Sequence, residues 1–214
     1  MALDGLVVDW GGVLTTTMEE STGFWAATED VDLDSFRDVL RRWLDPAVVA
    51  GAESNPIYAL ERGEIDVPDF ERRLADGLRS RSGRPLRTDG LLMRMFDHFV
   101  HAPDMAALVL RARRSGLRTA LLSNSWGNDY PRHGWDEMFD AVVISGEVGM
   151  RKPEPEIFRH TADLLGLEPG QCVFVDDLPH NVAAAVAVGM VAVHHTSYER
   201  TAAELEVLFD RPLA

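Results

Sequence analysis

The sequence predicts an α/β protein: a doubly wound, Rossmann-like parallel sheet with an inserted helical cap after the first strand. Three observations predict it. Five short apolar runs are continuous rather than alternating, as strands buried on both faces are. Helix-patterned stretches separate the later runs, which is the alternation of parallel crossovers. The alternation fails once, over residues 17–100, where charged helical sequence runs far beyond the roughly dozen residues that a crossover needs.

The first run, Leu6-Val7-Val8, stops at Asp9-Trp10-Gly11-Gly12, where the glycines allow a tight turn or a close backbone approach to a ligand. Residues 17–100 then show no convincing strand. Stretches 35–44 and 68–78 are amphipathic, and 91–99 reads as a third helix. Trp25, Trp43, Tyr58 and Phe96 point to the core of this cap rather than to a pocket. The cap is bounded by Thr15-Thr16-Thr17 and His101-Ala102-Pro103, leaving residues 1–16 and 101–214 as the α/β core.

After the cap, residues 103–115 place Met105, Leu108, Val109 and Ala112 at helical spacing before the stop signal Gly116. Thr119-Ala120-Leu121-Leu122 is the second strand run and Ala141-Val142-Val143-Ile144 the third. Residues 155–165 put Ile157, Phe158, Ala162 and Leu165 on one helical face, with Gly166 behind them. Cys172-Val173-Phe174-Val175 is the fourth run, an Ala-rich helix over 181–188 ends at Gly189, and Val191-Ala192-Val193 is the fifth. Thr196-Ser197-Tyr198-Glu199 reads as a capping box that opens a last helix.

Composition narrows the partners. Acidic residues outnumber basic ones 35 to 21, for a net charge of −14, so neither nucleic acid nor an anionic membrane surface is an expected partner. No stretch has the roughly 18 apolar residues of a membrane span, and the amino-terminal ten residues lack the basic region of a secretory signal. The lone Cys172 cannot form an internal disulfide, which fits a cytoplasmic protein. Of the basic residues all but one are Arg; the exception is Lys152.

In a parallel sheet the carboxyl ends of the strands share one edge, and ligands bind beyond it. That edge collects Asp9 after the first run, Ser123-Asn124 after the second, the Gly149-Met150-Arg151-Lys152-Pro153-Glu154-Pro155 segment after the third and Asp176-Asp177 after the fourth. A nucleophile, a hydroxyl, an ammonium and paired carboxylates around one cavity suit phosphoryl transfer. Asn181 is placed to orient the acidic loop. Trp126, His133 and Trp135 follow Ser123-Asn124 in a polar loop, a place for either a substrate contact or stray loop aromatics. Cys172 reads as a small core residue, and His194-His195 lack the spacing of a zinc site.

These four segments, in this order, resemble the motifs of the haloacid dehalogenase superfamily, and the resemblance covers nearly the whole chain. It is nearest to the members with a helical cap after the first strand. The Lys152 segment and Phe174-Val175-Asp176-Asp177 look like the amino-terminal phosphatase domain of soluble epoxide hydrolases and related small sugar phosphatases. The resemblance implies that Asp9 attacks phosphorus and forms an aspartyl phosphate. It implies Mg²⁺ held by Asp9, the Gly11 carbonyl, Asp177 and, through water or as a minor ligand, Asp176. Phosphoryl oxygens would meet Gly12, Ser123, Asn124 and Lys152, the ammonium offsetting charge where a planar guanidinium would not substitute.

One position departs from the pattern. The superfamily's phosphatases usually carry a second Asp two residues after the nucleophile, and here that residue is Gly11. A positioned acid–base is worth about 10²–10⁴ in rate. Thr15, Thr16, His98, Asp129 or His133 could substitute, or the substrate could have a leaving group that needs no acid. The expected activity is therefore Mg²⁺-dependent hydrolysis of a small phosphorylated metabolite. The alternatives are a metal-independent 2-haloacid dehalogenase and a weak or inactive phosphate-binding protein.

Overall fold

The structure is a computed structural model that describes residues 2–44, 55–127 and 129–213. Segment 45–54 of the expected cap lies outside the described residues. Five strands form one sheet: β1 (Gly5–Val8), β2 (Arg118–Ser123), β3 (Ala141–Ile144), β4 (Cys172–Asp176) and β5 (Val191–His194). Their order is β3-β2-β1-β4-β5, and every pairing is parallel. All five expected runs are therefore strands.

The chain winds outward from β1 first to one side and then to the other. The switch point falls between β1 and β4, where open α/β sheets form a crevice. Register does the rest. Val8 lies opposite Val175, so the next residues, Asp9 and Asp176, leave the sheet side by side. Val8 also lies opposite Leu121, which brings Ser123 to the same edge.

Between β1 and β2 come α1 (Met18–Thr28), α2 (Leu33–Leu44), α3 (Pro56–Glu61), α4 (Val67–Gly77), α5 (Leu91–Phe96) and α6 (Pro103–Arg114). The later helices are α7 (Trp135–Met138), α8 (Ser145–Val148), α9 (Pro155–Leu165), α10 (Pro179–Ala187) and α11 (Tyr198–Phe209). Residue alternation in β1 divides the core. Leu6 and Val8 pack with Met105, Leu108 and Val109 of α6 and with Leu205 and Phe209 of α11. Val7 points the other way, to Ile157 and Phe158 of α9 and Ala185 of α10. A third apolar cluster, with Trp25, Phe36, Phe70, Leu74 and Met95, has its buried residues in the insert, and Trp126 from beyond β2 packs against it. Where the insert leaves and rejoins the sheet the two chain segments pair: Thr15 and His101 form an antiparallel bridge, and Ala102 donates to the Leu14 carbonyl at 2.9 Å.

Several expected boundaries shift. The insert carries two helices that periodicity did not reveal. α1 begins at Thr17, whose side chain and Glu20 form a capping box; α3 begins at Asn55, with Pro56 in the first turn. The expected helix 91–99 ends at Phe96. The Ala-rich helix starts two residues early, at Pro179. The last helix is capped by Ser197, accepting from the Arg200 N–H, rather than by Thr196. No described helix is long and apolar enough to cross a membrane.

Candidate active site

Asp9 is the first residue past β1 and is buried. Its N–H donates to the Val175 carbonyl at 2.9 Å, so the sheet itself holds the residue in place. Its Oδ1 accepts from the Trp10 N–H at 2.7 Å and from Lys152 Nζ at 2.8 Å. The same ammonium reaches Asp176 Oδ2 at 2.7 Å, and Lys152 is buried to 1% exposure. The single lysine of the chain thus lies between the carboxylates that end β1 and β4.

Asp176 is fully buried and its oxygens are occupied. Beyond Lys152 it accepts from the Leu178 N–H at 2.9 Å and from Asn181 Nδ2 at 3.0 and 3.1 Å. Asn181 therefore orients the acidic loop, as its position implied, while its own Oδ1 is buried without a partner. Asp177 is half-buried and its carbonyl accepts from His194 Nε2 at 2.9 Å. Gly12 has φ +72°, and a Cβ there would lie 2.2 Å from Asp177 Oδ2, so this glycine admits the carboxylate. Gly11 is different: nothing lies within 4 Å of a Cβ built on it.

Burial holds the Asp9 carboxyl up at about 7; Lys152 opposes that shift, and Asp176 and Asp177 add to it. Asp177 is pushed up to about 6 by burial and then by Asp176. Burial works against the Lys152 charge, but Asp176 and Asp9 outweigh it and hold the ammonium above the ordinary lysine range. Three carboxylates facing one ammonium leave an excess of negative charge that a cation would relieve. Oxygens of Asp9, Asp176 and Asp177 lie within 4.8 Å of one another, an all-oxygen donor set of the kind Mg²⁺ takes. The orphaned Asn181 Oδ1 beside it is an acceptor that a metal-bound water could satisfy.

Ser123 and Asn124 close the opposite wall. Ser123 Oγ lies 2.9 Å from the Tyr130 hydroxyl. The Asn124 side chain is spent on the backbone of Lys152: Nδ2 donates to its carbonyl at 2.9 Å and Oδ1 accepts from its N–H at 2.8 Å. That pair of bonds fixes the lysine loop against the end of β2.

Asp9, Gly11, Ser123, Asn124, Lys152, Asp177 and Asn181 line one cavity of about 340 Å³, with Asp176 directly behind it. A second cavity, of about 400 Å³, includes Asp129 and Arg132 but none of the three clustered carboxylates. None of the residues considered as replacements at Gly11, namely Thr15, Thr16, His98, Asp129 and His133, lines the acidic cavity; His180, which the sequence did not single out, does. Trp126 lines it; Trp135 is buried in the sheet core and His133 is exposed elsewhere. Tyr58 and Phe96, expected in the cap core, line the cavity, while Trp25 and Trp43 pack on Phe36 and Phe70 as expected.

Glu61 and Arg151 carried no sequence signal as a pair, being 90 residues apart. The structure joins them: Arg151 Nε donates to Glu61 Oε2, Trp126 Nε1 donates to Glu61 Oε1 at 3.0 Å, and the guanidinium lies 3.8 Å from the Tyr58 ring centroid. Arg62 pairs with Glu154 next to them. The insert thereby grips the residues on both sides of Lys152.

A parallel sheet with buried acids and one lysine at its switch point defines a Rossmann-like α/β hydrolase class. The sequence profile of the haloacid dehalogenase-like hydrolases matches residues 3–189, and the chain belongs to that family. It is 31% identical over 155 residues to sesquiterpene phosphatase astK of Aspergillus oryzae, covering 69% of this chain and 76% of that protein. It is 27% identical over 225 residues to bifunctional epoxide hydrolase 2 of Sus scrofa, covering 96% of this chain but 39% of that protein. The chain spans 19% of another relative, acyl-CoA dehydrogenase family member 10 of Mus musculus. In fold it is similar to a HAD family enzyme from Bacteroides thetaiotaomicron, with TM-score 0.67 and 21% identity over 92% of this chain and 95% of that one. A structure of that enzyme with magnesium and inorganic phosphate gives TM-score 0.60 at 20% identity, covering 91% and 95% of the two chains.

Proposed function

We propose that the chain is a Mg²⁺-dependent phosphohydrolase of a small phosphorylated metabolite that works through an aspartyl phosphate. The observation that carries this reading is Lys152 Nζ held 2.8 Å from Asp9 and 2.7 Å from Asp176 beside a third carboxylate. Asp9 attacks phosphorus; an Asp9 oxygen–phosphorus bond forms as the bond to the leaving oxygen breaks. Water then attacks the same phosphorus, releasing inorganic phosphate and restoring the carboxylate. Asp9, the Gly11 carbonyl, Asp177 and, as a minor ligand, Asp176 would hold Mg²⁺. When bound, the ion neutralises phosphoryl charge and polarises the phosphoryl oxygens.

The other roles belong to the chain. Lys152 offsets the charge of Asp9 and the phosphoryl group. Ser123 donates its hydroxyl and Asn124 offers its main-chain amide, while its side chain positions Lys152. The Gly12 amide, expected to meet the phosphoryl group, donates instead to the Thr16 carbonyl at 3.3 Å, and that glycine serves by admitting Asp177. Residues 17–100 act as a cap over the α/β core of 1–16 and 101–214, because Met18, Leu40, Tyr58 and Phe96 wall the same cavity as Asp9. Lacking a carboxyl at Gly11, the site favours esters with good leaving groups, such as aryl or acyl phosphates. Relatives named as phosphatases, such as sesquiterpene phosphatase astK and a phosphoserine phosphatase of Thermus thermophilus, support the reading. The absence of a membrane-length helix among the described residues is compatible with work in the cytoplasm.

The test is a panel of aryl, acyl and alkyl phosphates at saturating Mg²⁺, run against Asp9→Asn. Turnover that the variant loses by at least about 10³-fold is expected. Halide release from 2-haloacids without metal, or no turnover above the variant, overturns the proposal.

A further inference from the structure

We propose that the organic part of the substrate is a hydrocarbon: a monophosphate ester of an apolar alcohol with a body of about six to eight carbons. This rests on the phosphohydrolase reading above and names its substrate class. The cavity has two chemistries. One end is Asp9, Ser123, Lys152 and Asp177; the walls supplied by the insert are chiefly Met18, Leu40, Leu44, Ile57, Phe96 and Phe99.

The charged group that the insert adds to those walls is already committed, and the open polar groups, His180 and Asn181 Oδ1, sit beside the acidic end. Glu61 is held by Arg151 and by Trp126 Nε1, and the Arg151 guanidinium covers the Tyr58 ring. The Asn124 amide is spent on Lys152 and the Asn181 amide nitrogen on Asp176. A sugar or polyol would bring several hydroxyls here and find few partners for them, and unpaired buried hydroxyls are penalised. A hydrocarbon brings none and gains with each methylene removed from water. Size sets the limit. At roughly 30 Å³ per water-sized group, a cavity of about 340 Å³ holds a phosphoryl group and about six to eight carbons.

Non-hydrolysable alkylphosphonates from methyl to decyl test this on the full chain with Mg²⁺, read by calorimetry so that turnover is not required. Affinity is expected to rise about two- to fourfold per methylene and to level off near the eighth carbon. 3,4-Dihydroxybutylphosphonate should bind at least tenfold more weakly than butylphosphonate. Leu40→Asn should weaken octylphosphonate several-fold more than methylphosphonate, a difference that general destabilisation would not produce. A flat series, or a dihydroxy analogue that equals butylphosphonate, overturns the proposal. Failure of the enzyme to hydrolyse para-nitrophenyl phosphate would instead sink the phosphohydrolase reading, and the phosphonate series would still decide the nature of the walls.

Discussion

Lys152 lies between Asp9 and Asp176 with 1% exposure, and Asn124 clamps its backbone from both sides. A guanidinium is wider, planar and forked, and it cannot reach both oxygens from this backbone position without moving one strand end. Lys152→Arg is expected to lower kcat/KM by at least about 10²-fold, the scale of losing one well-placed charge donor; steady-state kinetics on an aryl phosphate would show it. Gly11 offers the opposite experiment. Its Cβ position is open and its φ is not in the left-handed region, so Gly11→Asp adds a carboxyl without steric conflict. On an alkyl phosphate, whose leaving oxygen needs a proton, kcat should rise by up to about 10²-fold, within the range of a positioned acid. Aryl phosphates should change little, and an equal effect on both classes would show that the carboxyl is not delivering a proton.

Much of this residue layer is legible in the sequence, and the reason is topological. A nucleophile, a serine and an acidic pair each followed a continuous apolar run, and parallel strands bring such positions to one edge. The lysine followed the third run by eight residues, and its loop is pulled back to the edge by Asn124. What lay hidden were contacts between segments far apart in the chain. Glu61 and Arg151 each look like an ordinary surface charge until the insert is folded against the loop. Tyr58 and Phe96 have the spacing of core aromatics, and periodicity cannot say whether the covered face meets protein or an open cavity.

At the level of elements, α3 is only six residues long, yet it carries the insert's grip on the sheet. Burying the Glu61–Arg151 pair costs desolvation of both ions, and removing one partner leaves the other uncompensated. Glu61→Ala should therefore cost about 3 kcal/mol, seen as a fall of roughly 6–12 °C in Tm. The double variant Glu61→Leu/Arg151→Met should recover most of that stability in a urea melt, because apolar packing replaces the pair. A double variant as unstable as the single one would show that the pair itself, and not the stranded arginine, sets the cost. The helices of the insert were unevenly legible for a related reason. α2 and α4 have one apolar face, whereas α1 buries Ser21 and Thr22 as well as Trp25 and Ala26, so no stripe marks it. Its capping box at Thr17 and Glu20 was the readable signal.

Over the whole molecule the charge is −14, opposite to what an anionic ester would choose to approach. On the proposed function, attraction would rest on Lys152, the main-chain amides of the strand ends and a cation held by the clustered carboxylates. At low ionic strength the long-range field should slow encounter, and salt should screen it. Raising ionic strength from about 10 to about 150 mM, which shortens the screening length from roughly 30 to 8 Å, should raise kcat/KM for a dianionic ester about twofold. A fall with salt would mean that a basic path leads into the cavity after all.

The bridge between Thr15 and His101 has an architectural consequence. The chain leaves for the insert and returns from it at a single point in space, although β1 and β2 are more than a hundred residues apart. Loop-closure entropy grows only slowly with length, so the sheet is nearly indifferent to how many residues travel out and back through that doorway. The segment beyond it can lengthen, shorten or be exchanged while the strand ends keep their register. On the proposed function, the part of the cavity wall that the insert supplies is thus free to change while the clustered carboxylates and Lys152 stay in place.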